Sequence, residues 1–295
     1  DAVALARRLH VSLPARYADF ADTPAAMMSL VGRDGAMELY DGVLRLREAD
    51  GRIAVDGFDD QCYRELIDEA VKPWTYMKFP YRRDLGVDDG WYRVGPLARV
   101  QNCDFIPTPR AEEARQAFVA AHGGQPVHTV LATHWARMIE LLHGVETVAA
   151  LLDDALITGG PLQAEGTHQR SGIGIIEAPR GTLIHEYEVG DDDLVTRCNL
   201  IVSTTHNNQA MNEAVRAVAL RYLDGEAITE GLLNHIEVAV RAYDPCLSCA
   251  THALGQMPLA VSLRAADGRV LDHVLRSSTG ELLRDGAAHD AEAAQ

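Results

Sequence analysis

Lysine, aromatic residues and long apolar runs are all scarce in this chain. Its 295 residues include 6% aromatics and two lysines, Lys72 and Lys78. No apolar run approaches the about 20 residues of a membrane helix, so the sequence predicts no membrane span. The N-terminus lacks the charged start and apolar core of a signal peptide. Five cysteines with one close pair do not indicate a disulfide framework. These absences favour a cytoplasmic location.

Acidic residues greatly outnumber basic ones. The chain has 43 Asp and Glu against 27 Lys and Arg, which gives a formal net charge of −16 at pH 7. This excess of negative charge disfavours nonspecific binding to nucleic acid or to an anionic membrane. Hydrophobic residues make up 47% of the chain, which is enough for a sizeable core.

The spacing of apolar residues predicts an α+β fold dominated by helices, with β-hairpins at its periphery. Helices are expected over residues 1–34, 58–71, 109–122, 127–152, 208–223 and 229–242. Strands are expected within residues 36–57, 173–205 and 259–283. Thr108 and Pro109 fit the N-cap and the first position of a helix. Residues 72–107 show no regular pattern, and no firm linker divides the chain.

One short motif is typical of metal-binding chemistry. Residues 244–252 read DPCLSCATH, so that Cys246 and Cys249 lie three positions apart and His252 follows. This spacing lets both thiolates face one ion. The motif fits two unrelated buried cysteines, a structural zinc knuckle that still needs a fourth ligand, or half of a thiolate-rich redox metal site. The pair alone does not separate the last two interpretations.

The longer context of this motif resembles a known family. The segment RAYDPCLSCATHALGQMPL is similar to the C-terminal signature of nickel–iron hydrogenase large subunits, in the cytosolic multi-subunit branch that couples to NAD(P) or other soluble carriers. Further blocks resemble that family in its order, and they lie at residues 92–105, 134–143, 176–187, 201–215 and 228–246. The resemblance covers most of residues 60–260 and implies a hydrogenase large-subunit-like fold.

One part of the family pattern is missing. The family binds nickel with four cysteines, two of them in an upstream Arg-x-Cys-Gly-x-Cys block, whereas Cys62 and Cys103 stand alone here. The resemblance therefore implies that residues 1–252 are the C-terminal portion of a large subunit whose N-terminal part is missing. Residues 253–295 then form an extension that is removed on maturation. The alternating pattern of this tail equally permits a hairpin that stays on the chain.

The resemblance also assigns roles at the nickel–iron centre. Cys246 corresponds to the terminal nickel thiolate, which acts as a base, and Cys249 corresponds to the thiolate that bridges nickel and iron. Arg180 corresponds to the arginine held over the two metals, Pro179 to the apolar wall beside it, and Thr204 to a hydroxyl that hydrogen-bonds a cyanide on iron.

Two further residues are assigned in the same way. Asp244 corresponds to the carboxylate that orients the arginine. His252 corresponds to a ligand of a second metal, magnesium or iron, near the C-terminus. The iron is expected to carry cyanide and carbon monoxide. No flavin, NAD or iron–sulfur cluster is expected on this chain.

The implied function is reversible cleavage of H2 to protons and electrons. The implied partners are a small iron–sulfur subunit, diaphorase-type or other electron-carrier subunits, a maturation endopeptidase and nickel-insertion factors. The 295 residues alone are expected to be inactive, because they supply half of the thiolates. Two alternatives remain: a metal-free structural relative in a complex I-like assembly, and a zinc-knuckle module.

Overall fold

The structure is a computed structural model that describes residues 1–163, 165–225, 227–246, 258–277 and 280–284. The α-helices are α1 (Ala2–Val11), α2 (Tyr63–Leu66), α3 (Gly86–Asp89), α4 (Pro96–Asn102), α5 (Pro109–Ala121), α6 (Ala132–Leu152), α7 (Ser203–His206), α8 (Asn208–Tyr222) and α9 (Glu230–Ala242). The strands are β1 (Ala26–Val31), β2 (Val43–Arg47), β3 (Ile53–Phe58), β4 (Ile67–Val71), β5 (Lys78–Arg82), β6 (Tyr92–Arg93), β7 (Ser171–Ala178), β8 (Gly181–Val189), β9 (Val195–Ile201), β10 (Leu259–Arg264), β11 (Val270–Arg276) and β12 (Leu282–Arg284). Helix content is 37% and strand content 27%, which confirms a mixed fold in which helix predominates.

Within the described residues these strands form four sheets. The largest has the order β3-β2-β1-β6, in which β1 pairs antiparallel with β2 and parallel with β6. The sheets β7-β8-β9, β10-β11-β12 and β4-β5 are antiparallel throughout. None of the described helices is long and apolar enough to span a membrane.

Strand β1 lies where the sequence predicted helix, so that prediction is wrong beyond α1. Every residue of β1 is buried. Met27 packs into an apolar cluster with residues of α4 and α6, whereas Met28 and Leu30 face a second cluster with residues of β2, β8 and β9. A strand buried on both faces reads as an apolar run without alternation, which periodicity does not distinguish from a buried helix.

The hairpin predicted over residues 36–57 is formed by β2 and β3, with its turn at Asp50-Gly51. Gly51 has φ +89°, a conformation that glycine adopts without steric cost. Strand β2 is buried through its pairing with β1, whereas β3 is partly exposed and forms the edge of this sheet.

The helix predicted over residues 58–71 is also wrong for most of its length. Only α2 is α-helical there, and the following strand β4 pairs with β5 in a segment where no regular structure was predicted. Tyr63, Leu66 and Ile67 are buried in the second cluster. Contacts between distant segments therefore override the local helical pattern.

Helices α5, α6, α8 and α9, the strands β7 to β9 and the strands β10 to β12 lie where they were predicted. Pro109 is the first residue of α5 and Thr108 precedes it. The Thr108 side chain does not cap the helix; its Oγ1 instead lies 2.9 Å from Nδ1 of His143 on α6. Glu146 of α6 caps α5 in its place, since its carboxylate accepts the N–H groups of Arg110 and Ala111.

Candidate functional site

Three segments that are distant in sequence meet at the candidate site. The first is the tight turn between β7 and β8, which carries Pro179 and Arg180. The second is the short helix α7, which follows β9 directly and carries Thr204. The third is the chain after α9, which carries Asp244 and Cys246. All five are residues that the sequence predicted for the site.

Arg180 joins the β7–β8 turn to the chain after α9. Its Nε donates to the backbone carbonyl of Asp244 at 2.6 Å, and its Nη2 lies 3.4 Å from Asp244 Oδ2. Asp244 has φ +52°, which is uncommon for a residue with a side chain. The guanidinium therefore contacts both the backbone and the carboxylate of a residue in a costly conformation, and helps to hold it there.

Hydrogen bonds connect the other segments to each other. The backbone N–H of Cys246 donates to Thr204 Oγ1 at 3.1 Å, and Thr204 is buried. Ser203 Oγ donates to the carbonyl of Gly181 at 2.7 Å. Together with Arg180, these bonds form a closed set in which each segment contacts the other two.

Arg99 of α4 clamps the β7–β8 turn from the inside. Its Nε and Nη2 donate to the carboxylate of Glu140 on α6, with 2.8 Å for the Nη2–Oε2 contact. Its Nη1 donates to Glu177 Oε2 at 2.6 Å and to the carbonyl of Ala178 at 2.9 Å, and Nη2 also donates to the carbonyl of Pro179 at 3.1 Å. A guanidinium has five N–H groups, and each of these five contacts uses one.

The charges around this clamp are buried and unequal. Two carboxylates, Glu140 and Glu177, face the single guanidinium of Arg99. Burial raises the pKa of Glu177, and the nearby positive charge of Arg99 opposes that rise. Glu177 Oε1 also accepts hydrogen bonds from the Leu30 N–H at 2.9 Å and from Thr182 Oγ1 at 2.7 Å. Those donors favour the ionised carboxylate.

Two glycines allow the turn to pack closely against the start of α4. Gly181 has φ +136°, and a Cβ added there would lie 2.2 Å from Val94 Cγ2. Gly95 has φ +106°, and its Cβ would lie 3.0 Å from the carbonyl oxygen of Arg180. Larger side chains at either position would push the turn away from α4.

Sequence reasoning missed Arg99, Glu177, Ser203 and Arg137. The Nη2 of Arg137 donates to the carbonyl of Ala242 at 2.9 Å and so caps the end of α9 before the site. Arg99 and Glu177 lie inside the quoted blocks 92–105 and 176–187, but nothing in their local sequence distinguishes them from surface charges. Their buried partners come from other elements.

The remaining predicted site residues, Cys249 and His252, lie outside the described residues. Within the part that the structure describes, no group of three or more His, Cys, Asp and Glu side chains could hold a metal. Cys103 is buried beneath α4, and burial raises the pKa of its thiol to about 12. Burial of this kind disfavours the thiolate form.

The fold and this site define the class of the protein: an α+β chain in which an arginine on a β-turn is hydrogen-bonded to the segment after α9, and that segment also carries a cysteine. The family model of nickel-dependent hydrogenases matches residues 41–252. The chain therefore belongs to the nickel-dependent hydrogenase family.

Individual relatives agree with this assignment. The chain is 46% identical to NAD-reducing hydrogenase HoxS subunit beta of Cupriavidus necator over 284 residues, which is 94% of this chain and 57% of the relative. It is 39% identical to a subunit of the F420-non-reducing hydrogenase vhc of Methanococcus voltae, over 82% of this chain and 51% of the relative. The chain thus spans little more than half the length of these relatives.

Solved structures show the same fold. A crystal structure of an NAD+-reducing NiFe hydrogenase in the H2-reduced state matches with a TM-score of 0.81 and 56% identity, over 85% of this chain and 56% of that chain. A reduced Ni-Fe-Se hydrogenase from Desulfovibrio vulgaris Hildenborough matches with a TM-score of 0.56 and 20% identity, over 85% of this chain and 57% of that chain. The second match supports the fold alone.

Proposed function

We propose that this chain belongs to the large, catalytic subunit of a nickel–iron hydrogenase that cleaves H2 reversibly to protons and electrons. The observation that carries the proposal is the set of contacts joining Arg180, Asp244, Thr204 and Cys246. Structural relatives that had lost the metal would have no need for a cysteine and an arginine held on adjoining segments. Family membership supports the same conclusion.

The donor chemistry of the described residues fits a nickel–iron centre. Cys246 is half-buried, and the Arg180 guanidinium is held on Asp244, two residues earlier in the chain. Soft thiolates suit nickel and iron. Cys246 and Cys249 would hold the two metals together with the two thiolates of the family's upstream block, which is not among these 295 residues. When bound, a nickel–iron pair with cyanide and carbon monoxide on iron supplies the redox chemistry that removes two electrons from H2.

The protein side chains then have separate roles. The Cys246 thiolate takes up a proton at Sγ as a general base. Arg180 would supply a fixed positive charge and N–H donors to a bound centre. Thr204 Oγ1 accepts the Cys246 N–H, which leaves its own O–H free to donate to a cyanide ligand. Pro179 would provide an apolar wall beside the metals, and Asp244 would orient the guanidinium that it contacts.

We also propose that His252 ligates a second metal, magnesium or iron, and that residues 253–295 are removed by a maturation endopeptidase. The family match supports this boundary because it ends at residue 252. The alignment with the Cupriavidus necator relative covers 94% of the chain and so continues beyond that residue.

The proposed partners are an NAD(P)-linked diaphorase-type subunit together with a small iron–sulfur subunit. The names of the similar proteins support them, since one is an NAD-reducing hydrogenase subunit. We place any flavin, NAD and iron–sulfur groups on those partners and the assembly in the cytoplasm. Nickel-insertion factors would act before the endopeptidase.

The test is H2-dependent reduction of a redox dye by the complete, matured complex, together with its metal content. We expect Cys246→Ser to abolish dye reduction and to lower bound nickel. The matched control is Cys198→Ser, which changes an exposed thiol on β9 and should alter neither. A matured complex that does not reduce dye with H2 would overturn the proposal.

The metal content also separates the alternatives. One zinc per chain without nickel would favour a zinc-knuckle module, and a metal-free complex would favour a structural relative. The 295-residue chain alone should bind no complete centre and take up no H2, because two of the four thiolates are absent from it. Uptake of H2 by this chain would contradict that expectation.

A further inference from the structure

The C-terminal sheet β10-β11-β12 packs against the body of the molecule through one apolar face. Val274 of β11 is fully buried in the cluster formed by α8 and α9. Leu259, Val261 and Leu263 of β10 alternate with exposed neighbours and pack against the same cluster. The sheet therefore has a definite inner face and an outer face, as a docked element does.

Arg276 makes the first polar attachment. Its Nη1 donates to Asn234 Oδ1 at 2.9 Å and to Glu237 Oε1 at 2.7 Å, both on α9. The Arg276 and Glu237 side chains are only 12% and 19% exposed. Because this pair is mostly removed from water, it is worth more than a surface ion pair.

Ile228, just before α9, provides the second attachment. Its backbone N–H donates to Asp272 Oδ2 at 2.6 Å, and its carbonyl accepts a hydrogen bond from Arg284 Nη2. The Nη1 of Arg284 lies 3.0 Å from Asp272 Oδ2, so the two side chains also hold each other. Both backbone polar groups of the buried Ile228 are thus satisfied by the C-terminal sheet.

We propose that the strands β10, β11 and β12 form a self-docking module, which stays bound to the body after the backbone is cut between residues 252 and 258. The inference rests on the cleavage proposed above, because cleavage is what makes retention matter. The segment that binds to the α8–α9 surface is the chain's own C-terminal sheet. Cutting one peptide bond leaves the attachments of Arg276, Asp272 and Val274 in place. Release of the extension is then a separate step from its cleavage.

The experiment uses the full chain with a protease recognition sequence inserted after residue 252. The folded protein is cut, the cut is verified on a denaturing gel, and the sample is passed over a size-exclusion column under native conditions. We expect the C-terminal fragment to elute with the body. Elution of the fragment as a free peptide would overturn the inference. Because the cut is engineered, the outcome does not depend on nickel, on H2 or on the natural endopeptidase.

Matched variants test the attachment itself. Arg276→Ala should weaken retention of the fragment about tenfold, because charge-assisted bonds to Glu237 and Asn234 are lost. The control is Arg264→Ala, which removes the same charge from an exposed position whose guanidinium contacts Gly268 within the same sheet. It should leave retention within about twofold. Equal loss from both variants would show general charge attraction and contradict the proposed docking.

A variant on α9 tests the same contact without changing the C-terminal sheet, so its effect does not come from local unfolding of that sheet. Glu237→Gln should weaken retention in the same direction as Arg276→Ala, and the double variant should lose less than the product of the two separate effects. Independent, multiplicative losses would show that the two side chains do not act as a pair, and would overturn this attachment.

Discussion

The buried clamp of Arg99 can be tested by removing its guanidinium. Arg99→Ala leaves two carboxylates without their cation, Glu177 with a side chain 0% exposed and Glu140 with one 12% exposed. Removing one partner of a buried pair costs about 3–5 kcal/mol. The entire free energy of unfolding of a domain is about 5–15 kcal/mol. The variant should therefore lose a large share of its stability.

A graded series separates the loss of charge from the loss of hydrogen bonds. Arg99→Lys keeps the positive charge but offers three N–H donors in place of five, so at least two contacts are lost. The expected cost is about 1.5–3 kcal/mol. The control is Arg83→Ala, since Arg83 pairs with Asp68 where the two side chains are 53% and 43% exposed. That change should cost about 0–1 kcal/mol.

The pH dependence gives a second, independent signature. Burial raises the pKa of Glu177, and without Arg99 its folded-state pKa lies further above the unfolded value. A group with a raised folded-state pKa contributes stability below its unfolded pKa and loses it as the pH rises through the folded value. The stability deficit of Arg99→Ala should therefore be larger near neutral pH than in mild acid.

The assay is urea unfolding of the 295-residue chain, monitored by circular dichroism at about pH 5 and about pH 7.5. The dependence of the free energy of unfolding on urea concentration is compared between variants. A deficit below about 1 kcal/mol for Arg99→Ala near neutral pH, or one that does not shrink in acid, would refute the reasoning. An unchanged slope is needed to attribute the difference to the folded state.

Three further predictions follow from single residues. Gly181→Ala should cost about 2–4 kcal/mol in urea unfolding, through steric overlap and a strained φ, whereas Gly172→Ala, which faces open space, should be nearly neutral. Burial lowers the pKa of His206 to about 3, so below pH 6.5 the unfolded chain binds a proton that the folded chain does not. The free energy of unfolding should therefore fall by about 1.4 kcal/mol per pH unit in that range, and His206→Gln should flatten this part of an acid titration of stability. Arg180→Lys in the matured complex should lower H2-dependent dye reduction at least about tenfold, because lysine cannot keep both contacts to Asp244, whereas Arg197→Lys should change it little.

Local signals explain which elements could be predicted. Helices α5 and α9 have a threonine immediately before their first residue, and α6 carries apolar residues at helical spacing. The Asp-Gly pairs at residues 50–51 and 267–268 mark turns because glycine adopts positive φ there. Each of these features depends on residues a few positions apart, so a single sequence contains it.

Two strands, β1 and β4, could not be predicted in the same way. Strand β1 is buried on both faces, and β4 exists because it pairs with β5. Their sequences resemble buried or amphipathic helix, and apolar side chains from distant segments, which pack against both strands in the second cluster, decide for strand. For the site, the resemblance pointed to Arg180, Thr204, Asp244 and Cys246, and the structure places them on adjoining segments. The resemblance did not indicate the buried contacts of Arg99 with Glu140 and Glu177 next to these residues.

The family and the positions of the long helices could be read from the sequence, because motif spacing and helical periodicity are local properties, and the same motifs supplied the proposed site residues. The contacts that hold those residues in place became visible only in the folded chain. In the folded chain Arg99 lies against the β7–β8 turn, all five of its N–H groups have acceptors on α6, on β7 and in the turn, and the C-terminal sheet packs on α9. A buried charge is tolerated only where its partners converge. That convergence is a property of the fold, because the partners come from segments that are distant in the sequence.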